Sequence, residues 1–219
     1  AGRVERPAPQ PVPVRVGGFG GASGLAAFLT RECVSHLIDA THPFAAQMSA
    51  NAVEAAEIAG VPLLALTRPA WRRGKGDDWI RVKDMGGAVA ALDRPRSRVM
   101  LAIGRQHLKD FAPAARHFYL LRLVDPPEFP MPLPDYEIVV DRGPFTAAGD
   151  RALMIDHGIE LVVSKNSGGT GARAKLLAAR DLGLPVIMVD RPKLPPRREV
   201  HTLTAAMDWI GQGTTARGV

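Results

Sequence analysis

Short apolar runs rich in branched residues alternate with longer alanine- and leucine-rich stretches along nearly the whole chain. A short, continuous apolar run predicts a buried strand, whereas an apolar stripe at helical spacing predicts a helix packed on one face. On that basis strands are expected over 12–16, 36–39, 62–66, 79–82, 98–103, 118–123, 136–140, 159–163 and 184–189. Helices are expected over 25–31, 45–59, 85–92, 146–157, 172–182 and 204–210. Gly60 and Gly183 stand where two of those helices should stop, as C-terminal glycines do. The loop over 125–135 is proline-rich, and Pro7, Pro9, Pro11 and Pro13 make the opening residues extended.

Strand–helix alternation predicts an α/β fold: two Rossmann-like, doubly wound domains with mostly parallel sheets. The polar segment Asp93-Arg94-Pro95-Arg96-Ser97 separates two strand series, so the expected domains are 1–95 and 96–219. The ligand site is then expected at the carboxyl ends of strands, between the lobes.

With 46% hydrophobic and 23% charged residues in 219, the composition is that of a globular protein. No run approaches the roughly 18 apolar residues of a membrane helix. The start at Ala1 carries no charged and apolar signal-peptide pattern. The single cysteine, Cys33, fits a reducing compartment and reads as a packing residue. A net charge of +6 points to an anionic partner. Few aromatics, no zinc-finger spacing and scattered arginines favour a compact polyanionic small molecule over nucleic acid. Metal-ligand spacing, a nucleophile elbow and a phosphate-binding P-loop are all missing, so no metal is expected.

The candidate chemistry sits where strands end. Ser164-Lys165-Asn166-Ser167-Gly168-Gly169-Thr170-Gly171 joins a predicted strand to a predicted helix. Such a turn offers backbone N–H groups to an anion; the alternative is a tight turn that simply needs small residues. Lys165 within it is a candidate anion ligand, or a proton donor if burial lowers its pKa. Asp39, Thr41 and His42 close another strand, and Pro43 keeps His42 out of helical geometry. His42 is a candidate proton donor or a hydrogen bond to a ligand carboxylate, with a packed, helix-capping histidine as the alternative. Ser49 and Asn51 follow in the first turns of the next helix. Gly18, Gly20 and Gly24 read G-x-G-x-x-x-G, one residue longer than the dinucleotide fingerprint. Arg105, Arg122 and Arg142 lie in or at the ends of predicted strands, Arg142 backed by Gly143-Pro144. Each suits a grip on a carboxylate, or else a solvated surface.

Five segments in order, GGFGG (17–21), DATHPFAAQMSANA (39–52), LLRLVDPP (120–127), RGPF (142–145) and SKNSGGTGARAKLLAARDLGLPVIMV (164–189), resemble the precorrin-6A reductase family of cobalamin biosynthesis. The resemblance covers nearly the whole chain. It implies a cytoplasmic, NADPH-dependent enzyme that reduces one double bond of the precorrin-6A macrocycle to give precorrin-6B. That macrocycle carries many acetate and propionate groups, in keeping with the positive charge. Against the family pattern, the sequence is expected to lack the first βα unit with its glycine-rich turn, and the resemblance implies that Arg3 takes the position where an arginine meets the 2′-phosphate of NADP. The site then assigns His42 and Lys165 to catalysis, and Arg3, Gly18, Phe19, Gly20, Thr41, His42 and Pro43 to the cofactor. Ser49, Asn51, Arg105, Arg122, Arg142, Gly143, Lys165, Asn166, Ser167 and Gly168 are assigned to the substrate. The alternatives are a non-catalytic tetrapyrrole- or nucleotide-binding module, or another tetrapyrrole-modifying enzyme such as a methyltransferase.

Overall fold

The structure is a computed structural model that describes residues 11–127 and 130–215. Its elements run α1 (Gly21–Arg31), β1 (Leu37–Asp39), α2 (Ala46–Ala59), β2 (Leu63–Leu66), β3 (Trp79–Val82), α3 (Met85–Ala90) and β4 (Arg98–Ala102). A 3₁₀ segment (Arg105–Ala114) leads to β5 (Phe118–Leu123) and β6 (Tyr136–Val140). The chain continues through α4 (Ala147–Asp156), β7 (Leu161–Lys165), α5 (Ala174–Asp181), β8 (Val186–Val189), β9 (Glu199–Val200) and α6 (Leu203–Thr215).

Two compact units emerge, one of residues 1–69 with 192–219 and one of residues 70–191. The division therefore falls at Pro69/Ala70 and again at Arg191/Pro192, not at 95/96. Strand pairing accounts for this. β3 precedes the expected boundary but pairs in parallel with β8, in register from Trp79 with Val186 to Val82 with Val189. The short β9 pairs with β2 of the first unit instead.

In the first unit β1, β2 and β9 form a parallel three-stranded sheet. Leu25, Ala26 and Leu29 of α1 bury against Ala52 and Ala55 of α2, so small alanines let the two helices approach. The expected strand over 12–16 does not form. Val12, Val14 and Val16 are exposed, and Pro11 and Pro13 cannot donate to a ladder. The glycine spacing after it has a packing cause. Gly20 takes a left-handed conformation ahead of α1, and a Cβ on Gly24 would stand 1.8 Å from the Phe19 carbonyl oxygen. Only a bare Cα lets that carbonyl lie so close to the helix.

The second unit is a six-stranded, wholly parallel sheet in the order β3-β8-β7-β4-β5-β6. The apolar run Leu161–Val163 of β7 and the whole of Val186–Val189 are buried on both faces, as their unbroken apolar sequence requires. Met100, Leu120, Val162 and Met188 from four strands meet Leu176, Ala178 and Ala179 of α5 and Met154 of α4 in one buried cluster.

Candidate functional site

Strand order selects the ligand-binding edge of the second unit. From β4 the chain moves through the 3₁₀ segment to β5, and from β7 it moves through α5 to β8 in the opposite direction. Right-handed crossovers place those two connections on opposite faces, opening a crevice at the carboxyl ends of β4 and β7. That crevice is bordered by Gly104 and Arg105 on one side and by the turn from Lys165 to Gly171 on the other. Gly104 has a positive φ of 79°, and a Cβ there would lie 4.0 Å from Lys165 Nζ.

The glycine-rich turn is held from behind. Asn166 is buried, and its side-chain amide pairs both ways with the main chain of Trp71: Trp71 N–H donates to Oδ1 at 2.8 Å, and Nδ2 donates to the Trp71 carbonyl at 3.0 Å. The Trp71 indole donates to the Gly169 carbonyl at 2.6 Å. Arg191 donates to the carbonyls of Asn166 and Ser167 at 2.9 and 3.1 Å. Ser167 N–H reaches back to the Lys165 carbonyl at 2.7 Å. With its carbonyls tied down, the turn carries Gly168 and Gly169 at positive φ. Among the described residues, no protein acceptor takes the N–H groups of Gly168, Gly169, Thr170 or Gly171. A carbonyl-anchored turn with available N–H groups before a helix is suited to an anion.

The loop carrying Trp71 is itself fixed. Asp77 accepts from Gly74 N–H at 2.7 Å and from Arg180 of α5 at 2.8 and 2.9 Å. Burial pushes the Asp77 carboxyl up, but the Arg180 and Gly74 hydrogen bonds outweigh it and hold the group below its ordinary value.

Arg122 is not presented to a ligand in this structure. It pairs with Asp150 of α4, both side chains buried, and its guanidinium lies over the Phe145 ring at 3.7 Å. A buried guanidinium needs a counter-charge more than a surface one does, and Asp150 supplies it. Arg142, at the end of β6, is exposed and pairs with Asp125; it also donates to the Val124 carbonyl. Gly143 follows, packed on Phe145 and joined to Pro144 by a cis peptide. Arg142 and Lys165 end strands three positions apart on the same sheet edge, about 14 Å by strand spacing. Arg105 is exposed at the start of the 3₁₀ segment.

In the first unit a buried network organises the end of β1. Asp39 accepts from Thr41 N–H at 3.0 Å, Thr41 Oγ1 at 2.6 Å, Ser49 Oγ at 2.6 Å and Arg197 at 2.6 Å. Burial works against the Asp39 charge, yet the Ser49 and Thr41 hydrogen bonds and Arg197 hold its carboxyl below the ordinary value. Ser49 is therefore a buried support of this loop rather than an exposed ligand group, and the Thr41 hydroxyl has the same task. Asn51 accepts from Gln47 one helical turn earlier. His42 Nδ1 accepts from Phe44 N–H at 3.2 Å, so the neutral ring carries its proton on Nε2. Pro43 fixes the turn between them. Gly18, Phe19 and Gly20 precede α1, where Phe19 meets Phe28 edge-on at 5.1 Å and Arg15 lies over the Phe19 ring. A Cβ at Gly18, Gly20 or Gly21 would meet nothing, and α1 has neither a side-chain cap nor an acidic residue in its first turn. That helix start is therefore sterically open and has no acidic side chain in its first turn to oppose the positive end of the helix dipole. Arg3 lies outside the described residues.

Sequence reasoning missed Trp71, Arg191, Asp150 and Lys175. Trp71, Arg191 and Asp150 are distant in sequence from the groups they hold, and only an isolated Trp beside a basic run hinted at Trp71; Lys175 bonds the Ala172 carbonyl three residues back, but its burial comes from the tertiary packing. Among the described residues no group of three or more His, Cys, Asp or Glu could hold a metal ion, and no helix is long and apolar enough to cross a membrane.

Residues 1–211 match the family described as "Precorrin-6x reductase CbiJ/CobK". The chain is 58% identical over 220 residues to a protein of Rhodobacter capsulatus named "Precorrin-6A reductase", covering all of this chain and 88% of that one. A Sinorhizobium protein of the same name is 50% identical over 88% of this chain and 74% of its own length. A solved structure titled "CobK precorrin-6A reductase" superposes with a TM-score of 0.91 at 58% identity, covering 93% of this chain and 84% of that one.

Proposed function

The chain belongs to the precorrin-6x reductase family, and on that premise we propose that it reduces one double bond of precorrin-6A to give precorrin-6B in cobalamin biosynthesis, with NADPH as reductant. The observation that carries this reading is the 58% identity to a precorrin-6A reductase along the full chain. The anion-accepting turn at the switch point of the six-stranded sheet supports it.

When bound, NADPH would supply the hydride for an electrophilic carbon of the conjugated ring, and the protein would place a proton at the neighbouring carbon. The residues that would hold NADPH are Gly18, Phe19 and Gly20 ahead of α1 and His42 and Pro43 after β1, on the loop that Thr41 braces through Asp39, with Arg3 for the 2′-phosphate. The protein's part is positioning and electrostatics. The N–H groups of the turn 168–171, with Lys165, Arg105 and Arg142 along the same sheet edge, neutralise substrate carboxylates. Asn166 and Ser167 contribute through the main-chain frame they hold, and Arg122 through its pairing with Asp150. His42 Nε2–H, Lys165 Nζ–H or a bound water would supply the proton.

The test is direct. Precorrin-6A and NADPH are incubated with the protein, following nicotinamide absorbance and the mass of the tetrapyrrole. Loss of absorbance with a gain of two mass units is expected. Methyl transfer from S-adenosylmethionine without nicotinamide oxidation, or binding without turnover, would replace the proposal with one of its alternatives.

A further inference from the structure

Lys175 has no part in the chemistry above, yet it is the most unusual charge in the molecule. It lies in the first turns of α5, immediately after the glycine-rich turn, and is 5% exposed. Its Nζ donates to the Ala172 carbonyl at 2.6 Å and lies 5.1 Å from the centre of the Trp71 ring. The charged groups facing it are Arg122 from β5 and Asp150 from α4, and Asp150 is already paired with Arg122. The buried trio of Lys175, Arg122 and Asp150 thus carries one positive charge in excess. Among the described residues, Ala172 is the hydrogen-bond acceptor of an ammonium that has three N–H groups.

A surplus cation sealed from water is costly unless something makes use of it. Both groups that Lys175 touches belong to the frame of the turn. Ala172 is the residue just past Gly171, and Trp71 is the residue whose indole holds the Gly169 carbonyl. We propose that Lys175 is a positioning residue for substrate binding: from beneath, it fixes the end of the glycine-rich turn through Ala172 and supplies the buried positive charge that lets the turn's N–H groups hold a carboxylate. This deepens the reading of that turn as the tetrapyrrole carboxylate site and rests on it. Burial, reinforced by the Arg122 charge and opposed by Asp150, pushes the ammonium down to about 8. The ammonium is then mostly charged at neutral pH and loses its charge as the pH climbs past that value. Guanidinium groups and substrate carboxylates keep their charges over the same range.

The experiment compares wild type with Lys175→Met and Lys175→Arg in the full chain. Dissociation constants for uroporphyrin, an octacarboxylate tetrapyrrole that needs no reduction, are measured by fluorescence quenching from pH 6.5 to 9.5. KM for precorrin-6A and for NADPH, and the thermal midpoint, are measured beside them. The proposal expects Lys175→Met to weaken uroporphyrin binding and raise KM for precorrin-6A about tenfold or more at pH 7, with KM for NADPH within about twofold. It also expects no fall in thermal midpoint, because an unbalanced buried charge has been removed. Wild-type binding should weaken above about pH 8, and Lys175→Arg should bind with a flat profile. Unchanged affinity in Lys175→Met, an alkaline loss that survives in Lys175→Arg, or no uroporphyrin binding by wild type each overturns it. So does a lowered midpoint with both KM values raised together, the mark of a purely structural lysine. Porphyrin binding that responds as expected in a protein that fails to reduce precorrin-6A would defeat the proposed activity and leave Lys175 in this role.

Discussion

Replacing Asp150 by Asn isolates the electrostatics of the buried trio. The substitution keeps the shape of the side chain and removes the one negative charge between two cations. In wild type the Arg122 and Asp150 side chains are 9% and 3% exposed, so solvent screens the pair little. Removing one partner of such a pair leaves the other buried and uncompensated, at a cost of about 3–5 kcal/mol. Lys175 has its own escape: its ammonium already titrates near 8, and losing Asp150, which favours its charge, pushes it lower. Arg122 has none, because a guanidinium does not discharge. The cost of Asp150→Asn should therefore be largest near pH 7 and smaller at pH 9.5, where Lys175 is neutral in both proteins. In wild type the same lysine makes stability rise with pH. Its folded value of about 8 lies below the unfolded 10.5, so the unfolded chain binds more protons between them, by up to roughly 3 kcal/mol across that window. Urea unfolding followed by tryptophan fluorescence is the assay, since Trp71 and Trp79 both belong to the unit that holds the trio. The double variant Arg122→Met with Asp150→Leu should recover most of the loss, because apolar groups of similar volume replace a buried pair at little cost. An Asp150→Asn penalty below about 1 kcal/mol at pH 7, or a double variant no better than the single, would refute this account of the trio.

Gly24→Ala places a methyl group 1.8 Å from the Phe19 carbonyl oxygen and should destabilise the first unit by about 3 kcal/mol or prevent its folding, read from the emission of Trp209 during urea unfolding. Ser49→Ala removes a 2.6 Å hydrogen bond to a buried carboxylate and should cost about 1.5–3 kcal/mol near pH 6. Asp39 titrates below its unfolded 3.8, so its contribution is present above that value and lost as the pH falls through the folded one; the Ser49→Ala deficit should shrink over the same range in acid unfolding. His42→Ala should lower kcat about 10²-fold if Nε2–H delivers the proton, and full turnover by that variant would assign the proton to Lys165 or water.

The sequence alone determined the family and the α/β class. Five ordered motifs and the alternation of apolar runs suffice for both, because period and turn chemistry are local properties of the chain. It also located the glycine-rich turn between β7 and α5 and the loop after β1, since strand ends in a parallel sheet are where such residues can stand. Pairing was beyond it. The run over 12–16 has a strand's alternation but exposed valines and prolines on each side of Val12, and among the described residues no strand pairs with it. β3 joins β8 across more than a hundred residues, and the two-residue β9 exists only because β2 offers it a ladder. The assignment of polar side chains was decided in the same way. Ser49, Asn166 and Arg122 are the residue types that bind carboxylates, yet Asp39, Trp71 and Asp150 occupy them. A buried donor must find an acceptor wherever the fold brings one, and which acceptor arrives is fixed by distant segments meeting in space, not by the residues beside it in the chain.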